Sequence, residues 1–97
     1  NKSVRQAEKL LKVASDNGIA EAAFDLAVCY GKGEGVRSDP SKAVALYLRA
    51  WRLGDGAGSV ELRRMFYWGL GVEKNRLIAK EFAARGDDKR VALGSTE

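Results

Sequence analysis

Apolar residues in this chain recur at the three-to-four spacing of helices and not at the alternation of strands. Ala7, Leu10, Leu11 and Ala14 fall on one side of a first helix, with Arg5, Lys9, Lys12 and Asp16 on the other. Ser3 followed by Gln6 reads as a capping box ahead of it, and Asn17-Gly18 closes it. A second helix from about Ala20 to Tyr30 buries Ala22, Ala23, Leu26, Ala27 and Tyr30, mostly small residues that admit a close neighbour. Asp39 then caps a third helix with Pro40 in its first turn. Its inward side is Ala43, Leu46, Tyr47, Ala50 and Trp51, its outward side Ser41, Ala45, Leu48 and Arg52, and Gly54 ends it. A fourth helix starts at Gly58 or Ser59, buries Leu62 and Phe66, and stops at Trp68-Gly69. Asn75 caps a fifth, with Ala79, Phe82 and Ala83 inward. Past Gly86 the pattern fails. Residues 1–86 are therefore expected to form the helical domain, and 87–97 a degenerate end or loose tail.

The loop between the second and third helices occurs twice. Gly33-Glu34-Gly35-Val36-Arg37-Ser38-Asp39 is answered thirty-six residues on by Gly69-Leu70-Gly71-Val72-Glu73-Lys74-Asn75. The same offset joins Ala7, Ala43 and Ala79, Gly18 and Gly54, Leu10 and Leu46, Leu26 and Leu62, and Tyr30 and Phe66. A fixed period of this size marks a stacked-repeat protein. The expected fold is all-α, an α-solenoid of antiparallel helix pairs holding about two and a half hairpins.

Composition narrows the chemistry. With 97 residues, 45% hydrophobic and 31% charged, the chain is globular and large enough for one modest core. No apolar run approaches the roughly 20 residues of a membrane span, and no stretch reads as a signal peptide. The net charge of +4 is spread among mixed signs, which favours a solvated surface over a dedicated nucleic-acid stripe. There is no histidine, so the commonest general base and metal ligand is missing. The single cysteine, Cys29, cannot form an internal disulfide, lacks a partner base, and sits in a helical pattern as a small apolar residue. Gly31-x-Gly33-x-Gly35 follows a helix and carries Glu34, whereas a phosphate-cradling loop follows a strand. Asp87-Asp88 lies in a polar tail. Neither an enzyme nor a cofactor or metal site is expected.

The matched residues resemble the Sel-1-like repeat family, a relative of the tetratricopeptide repeat. The first unit supplies Gly18, Ala22, Leu26, Ala27, Tyr30, Gly33, Gly35, Val36, Asp39, Ala43, Ala50 and Gly54. The second keeps Gly54, Leu62, Phe66, Gly69, Gly71, Val72, Asn75 and Ala79, and departs at Arg63, where the family pattern has a small residue. The resemblance covers Ser3 to about Gly86. It implies a right-handed superhelix of helix pairs and a role as an adaptor or scaffold through protein contacts.

In stacked hairpins the first helix of each pair lines the concave side. Helical angles place Glu21, Asp25, Val28 and Lys32 opposite the buried side of the second helix. The offset carries these positions to Ala57, Glu61, Arg64 and Trp68, with Cys29 and Met65 flanking. The expected partner-binding set is Glu21, Asp25, Val28, Lys32, Glu61, Arg64, Met65 and Trp68. Trp68 either faces solvent beside Arg64 and Met65, the composition of an interaction hot spot, or folds under the Gly69 loop to close the last hairpin. The first expectation for function is a module that binds a protein or peptide. The second is nucleic-acid binding, because Arg63-Arg64 precedes Met65, Phe66, Tyr67 and Trp68 on one helix. A homodimer or a fragment of a longer array is expected, since arrays usually need about three repeats to stand alone.

Overall fold

The two glycine loops decide where the chain turns back. Each preceding helix ends in a left-handed glycine, Gly33 at φ 76° and Gly69 at φ 72°. The Gly33 amide donates to the Cys29 carbonyl at 2.8 Å, and the Leu70 amide to the Met65 carbonyl at 2.9 Å. Each loop then closes the same way: Asp39 N–H bonds the Tyr30 carbonyl at 2.9 Å, and Asn75 N–H bonds the Phe66 carbonyl at 2.8 Å. The next helix starts on a side-chain cap. Asp39 accepts from the Lys42 amide at 3.1 Å, and Asn75 accepts from the Leu77 and Ile78 amides, both at 3.1 Å. The shared glycines and capping residues of the two loops have become the same loop-closing hydrogen bond.

The computed structural model describes residues 2–85. They form α1 (Lys2–Asp16), α2 (Ala20–Lys32), α3 (Pro40–Arg52), α4 (Ala57–Trp68) and α5 (Arg76–Arg85), with no strand among them. Each helix packs on its neighbours in the chain, α1 on α2, α2 on α3, α3 on α4 and α4 on α5. The molecule is accordingly elongated, 42 × 25 × 16 Å. The expected all-α solenoid of helix pairs is what the chain forms. Residues 87–97, expected as a degenerate end or tail, lie outside the described residues.

One apolar cluster runs through both pairs. Ala27, Ala43, Val44 and Tyr47 belong to the first pair, Leu62, Met65, Phe66, Ala79 and Phe82 to the second, and Trp51 sits at the joint. Phe24 meets Tyr47 edge-on at 5.3 Å between α2 and α3. Phe82 of α5 reaches Trp51 of α3 edge-on at 5.1 Å and lies over Phe66 at 6.0 Å, tying one pair to the next. Burial pushes the Tyr47 hydroxyl up to about 12. The joint is tight. A Cβ built on Gly58 would stand 3.0 Å from the Tyr47 carbonyl oxygen and 3.3 Å from Trp51 Cβ. Gly71, at φ 75°, lies against the start of α3, where an added Cβ would overlap the Pro40 carbonyl and stand 2.7 Å from the Ser41 nitrogen.

Several sequence expectations are corrected, each for a reason of neighbours. Leu10, expected inward, is 70% exposed, because α1 packs chiefly on α2 and buries the strip toward Ser15. Leu48, expected outward, is half-buried against the core, and Val44 is buried, because α3 has α2 on one side and α4 on the other. Ala83 is exposed, since no described helix covers that side of α5. Tyr30 is only half-buried, its hydroxyl donating to Glu8 Oε2 at 3.1 Å. Gly31 continues α2 and does not open the loop. Ser3, expected ahead of the first helix, lies within α1. One bond ahead of α4 was missed: Asp55 accepts from the Ala57 amide at 2.9 Å.

Candidate partner-binding groove

The 36-residue repeat puts α4 and α5 side by side as a copy of α2 and α3, but no described helix covers the outer side of this second pair. Between α4 and α5 lies a groove of about 590 Å³. Its apolar surface includes Val60, 56% exposed, and Leu77, 77% exposed, one from each helix. Tyr67 and Trp68 close one end. Their rings meet edge-on with centroids 4.7 Å apart, and the Arg76 guanidinium lies over the Tyr67 ring at 4.4 Å. Trp68 is 62% exposed, so it faces solvent and does not fold under the Gly69 loop.

Charge along the groove has one predominant sign. Among the described residues Arg63, Arg64, Arg76 and Lys80 line it with a single carboxylate, Glu61. That carboxylate is engaged by Arg64 at 3.1 Å, an exposed i,i+3 pair. The arrangement can hold apolar side chains along its floor and carboxylates along its rim.

Of the residues expected to bind a partner, the structure brings together Glu61, Arg64 and Trp68 at this groove. Glu21, Asp25 and Lys32 are exposed on α2 and do not line it. Val28 is half-buried against the core, and Met65 is buried at 3% exposure. Met65 is therefore corrected from surface to core: on α4 it turns toward Leu62 and Phe66, under the hairpin. Val60, Tyr67, Arg76, Leu77 and Lys80 were missed as a set, because the groove needs α5 and the sequence reading sought the surface on first helices only. The signal was present in the register. Val44 and Tyr47 are buried, and thirty-six residues on stand Lys80 and Ala83, a cation and a small residue where the core would otherwise continue.

Elsewhere the chemistry is structural. A smaller hollow between α1 and α3 is bridged by Arg49, which donates to Ser15 Oγ at 3.2 Å and to Asp16 at 3.1 Å. Arg49 and then Lys12 hold the Asp16 carboxyl below its usual value. Burial, reinforced by Glu34, Asp25 and Glu8, pushes the half-buried Cys29 thiol up, the opposite of what a nucleophile needs. No cluster of three or more metal-ligating side chains exists among the described residues, and no described helix is long and apolar enough to cross a membrane.

Comparison with known proteins agrees with this architecture. The Sel1 repeat model matches residues 20–55 and 56–86, the two helix pairs described above. The chain belongs to the Sel1-repeat family. A crystal structure of a Sel1 repeat protein from Oxalobacter formigenes superposes with a TM-score of 0.75 at 27% identity, over 89% of this chain and 37% of that one. DAP3-binding cell death enhancer 1 of Mus musculus is 34% identical over 62 residues, and that of Rattus norvegicus 32% identical over 62 residues. Each match covers 64% of this chain and 12% of the relative, so the chain spans only a small part of those proteins. Sel1 repeats are generally protein-protein interaction modules, and typically non-enzymatic ones.

Proposed function

We propose that this chain is a protein-binding module whose contact is centred on the α4–α5 groove. The observation that carries the reading is Trp68, 62% exposed and held beside Tyr67 in a groove that also exposes Val60 and Leu77. A large aromatic presented this way costs hydration free energy unless something covers it, and such anchors dominate binding energy at interfaces. The family supports the reading, and the rodent relatives carry a protein partner in their name.

Capture from a cognate lysate with the full chain tests it. Specific partners are expected to survive nuclease treatment and to be lost, by tenfold or more, with Trp68→Ala, since an interface anchor is worth about 2 kcal/mol or more. Unchanged capture by Trp68→Ala would sink the reading. A second reading, nucleic-acid binding, is favoured by the interleaving of Arg63, Arg64 and Arg76 with Tyr67 and Trp68. Its mark is retention of oligonucleotide that falls steeply with salt.

A further inference from the structure

The two helix pairs differ most where the first is covered and the second, among the described residues, is not. Over the first pair lie α4 and the loop after it, with Gly58 against Tyr47 and Trp51 and Gly71 against Pro40 and Ser41. Within that pair Ala27 and Val44 are buried. Their counterparts in the second pair, thirty-six residues on, are Arg63 and Lys80, both exposed on the groove. The apolar floor persists between them, in Val60 and Leu77. The groove therefore keeps the outline of a helix-docking site but has exchanged a small and an aliphatic residue for two cations.

That exchange selects the occupant. A further repeat stacked as the second is on the first would press apolar surface onto Arg63 and Lys80 and bury both charges without partners, which is strongly unfavourable. A second copy stacked head to tail would offer α1, whose exposed Leu10 and Val13 could fill the floor. Yet both carboxylates of α1 are already bonded, Glu8 to Tyr30 and Asp16 to Lys12 and Arg49. The exposed Lys9 of α1 would add like charge to the groove. Nucleobases would stack on Tyr67 and Trp68 but leave the aliphatic Val60 and Leu77 unmatched.

Taking the protein-binding reading above as given, the geometry points to an acidic amphipathic helix of a partner protein as the occupant. The helix lies between α4 and α5. Its apolar face meets Val60, Tyr67 and Leu77, and its carboxylates meet Arg63, Arg76 and Lys80.

Tryptophan fluorescence of the full chain tests this locally, because Trp51 is 3% exposed and Trp68 is 62% exposed, so only Trp68 reports on the groove. The probes are a synthetic amphipathic peptide about four turns long, with leucines at helical spacing and glutamates flanking them, its twin with lysines for the glutamates, and a single-stranded oligonucleotide. The acidic peptide is expected to shift Trp68 emission to the blue and shield it from acrylamide. It should bind about tenfold or more tighter than the lysine twin, with an advantage that shrinks as salt rises. The pair Arg63→Glu and Lys80→Glu should reverse that preference, and Leu77→Asp should weaken both peptides; all three positions are exposed, so the fold is retained. Equal or tighter binding of the lysine twin overturns the inference, as does an oligonucleotide that displaces the acidic peptide. A blue shift that grows with protein concentration alone overturns it in favour of a second copy. Silence of Trp68 toward the acidic peptide, alongside a captured partner that still requires Trp68, ends this inference and leaves the protein-binding reading intact.

Discussion

Gly71 shows how one residue can answer to two constraints at once. Its φ of 75° is a conformation that side chains with a Cβ resist, and its Cβ position is occupied by the backbone of Pro40 and Ser41. Gly18 isolates the first constraint, since its φ is 85° and nothing stands within 4 Å of an added Cβ. Gly18→Ala is therefore expected to cost only the backbone preference, about 1 kcal/mol. Gly71→Ala should cost that plus a displaced loop, on the order of 2–4 kcal/mol in all. Thermal melting of the two variants checks it: for a domain of this size each kcal/mol moves Tm by roughly 4–8 °C. Equal losses would mean that the Gly71 loop is not seated on α3. The Arg63 position makes the complementary point. A small residue there in the first pair, Ala27, is fully buried, so arginine at the same register is tolerated only because no described helix covers it.

At the scale of elements, two helices start on caps of the same kind but of different consequence. Asp39 opens α3, which packs on both α2 and α4, whereas Asn75 opens α5, which packs mainly on α4. Removing either cap frees first-turn amides at a cost of about 1 kcal/mol. Asp39→Ala is expected to lower Tm more than Asn75→Ala, because loosening α3 also loosens the joint at Trp51, where Phe82 packs. Circular dichroism melts of the two variants give the order, and a reversed order would show that α5 and not α3 holds the stack together. These two starts were legible in the sequence because capping residues leave local marks, and the other helices were legible from the spacing of their apolar residues. Helix faces were less legible. Leu10 and Leu46 share a register position, yet Leu10 is exposed and Leu46 half-buried, because α3 packs on two helices and α1 chiefly on one. Periodicity reports which residues share a face, not how much of that face a neighbour will cover. The groove was half legible for the same reason: Glu61, Arg64 and Trp68 lie on a helix that could be read by itself, whereas Val60 and Leu77 become one floor only when two helices meet.

Across the whole molecule, stability in a nearest-neighbour stack depends on what joins each helix to the next. The far end is joined by rings, Phe82 against Trp51 and Phe66. The near end carries polar bonds: α1 is tied by Tyr30 to Glu8, and by Arg49 to the buried Ser15 and to Asp16, which Lys12 of the same helix also pairs. The two ends should therefore respond differently to acid. Arg49 and Lys12 hold the Asp16 carboxyl below the usual 3.8, so its bonds favour the folded state fully above that value and are lost as pH falls through the lower folded value. Asp16 is exposed, and its share is accordingly modest. Ring packing between α3, α4 and α5 has no such dependence. Hydrogen exchange, corrected for intrinsic rates and compared at about pH 6 and about pH 3, should show α1 losing protection while the α3–α5 amides keep theirs. Asp16→Asn should lower α1 protection at the higher pH and flatten its fall toward the lower one. If instead all five helices lose protection together, or the variant keeps the parent's pH slope, then α1 is held by its apolar strip and not by Arg49.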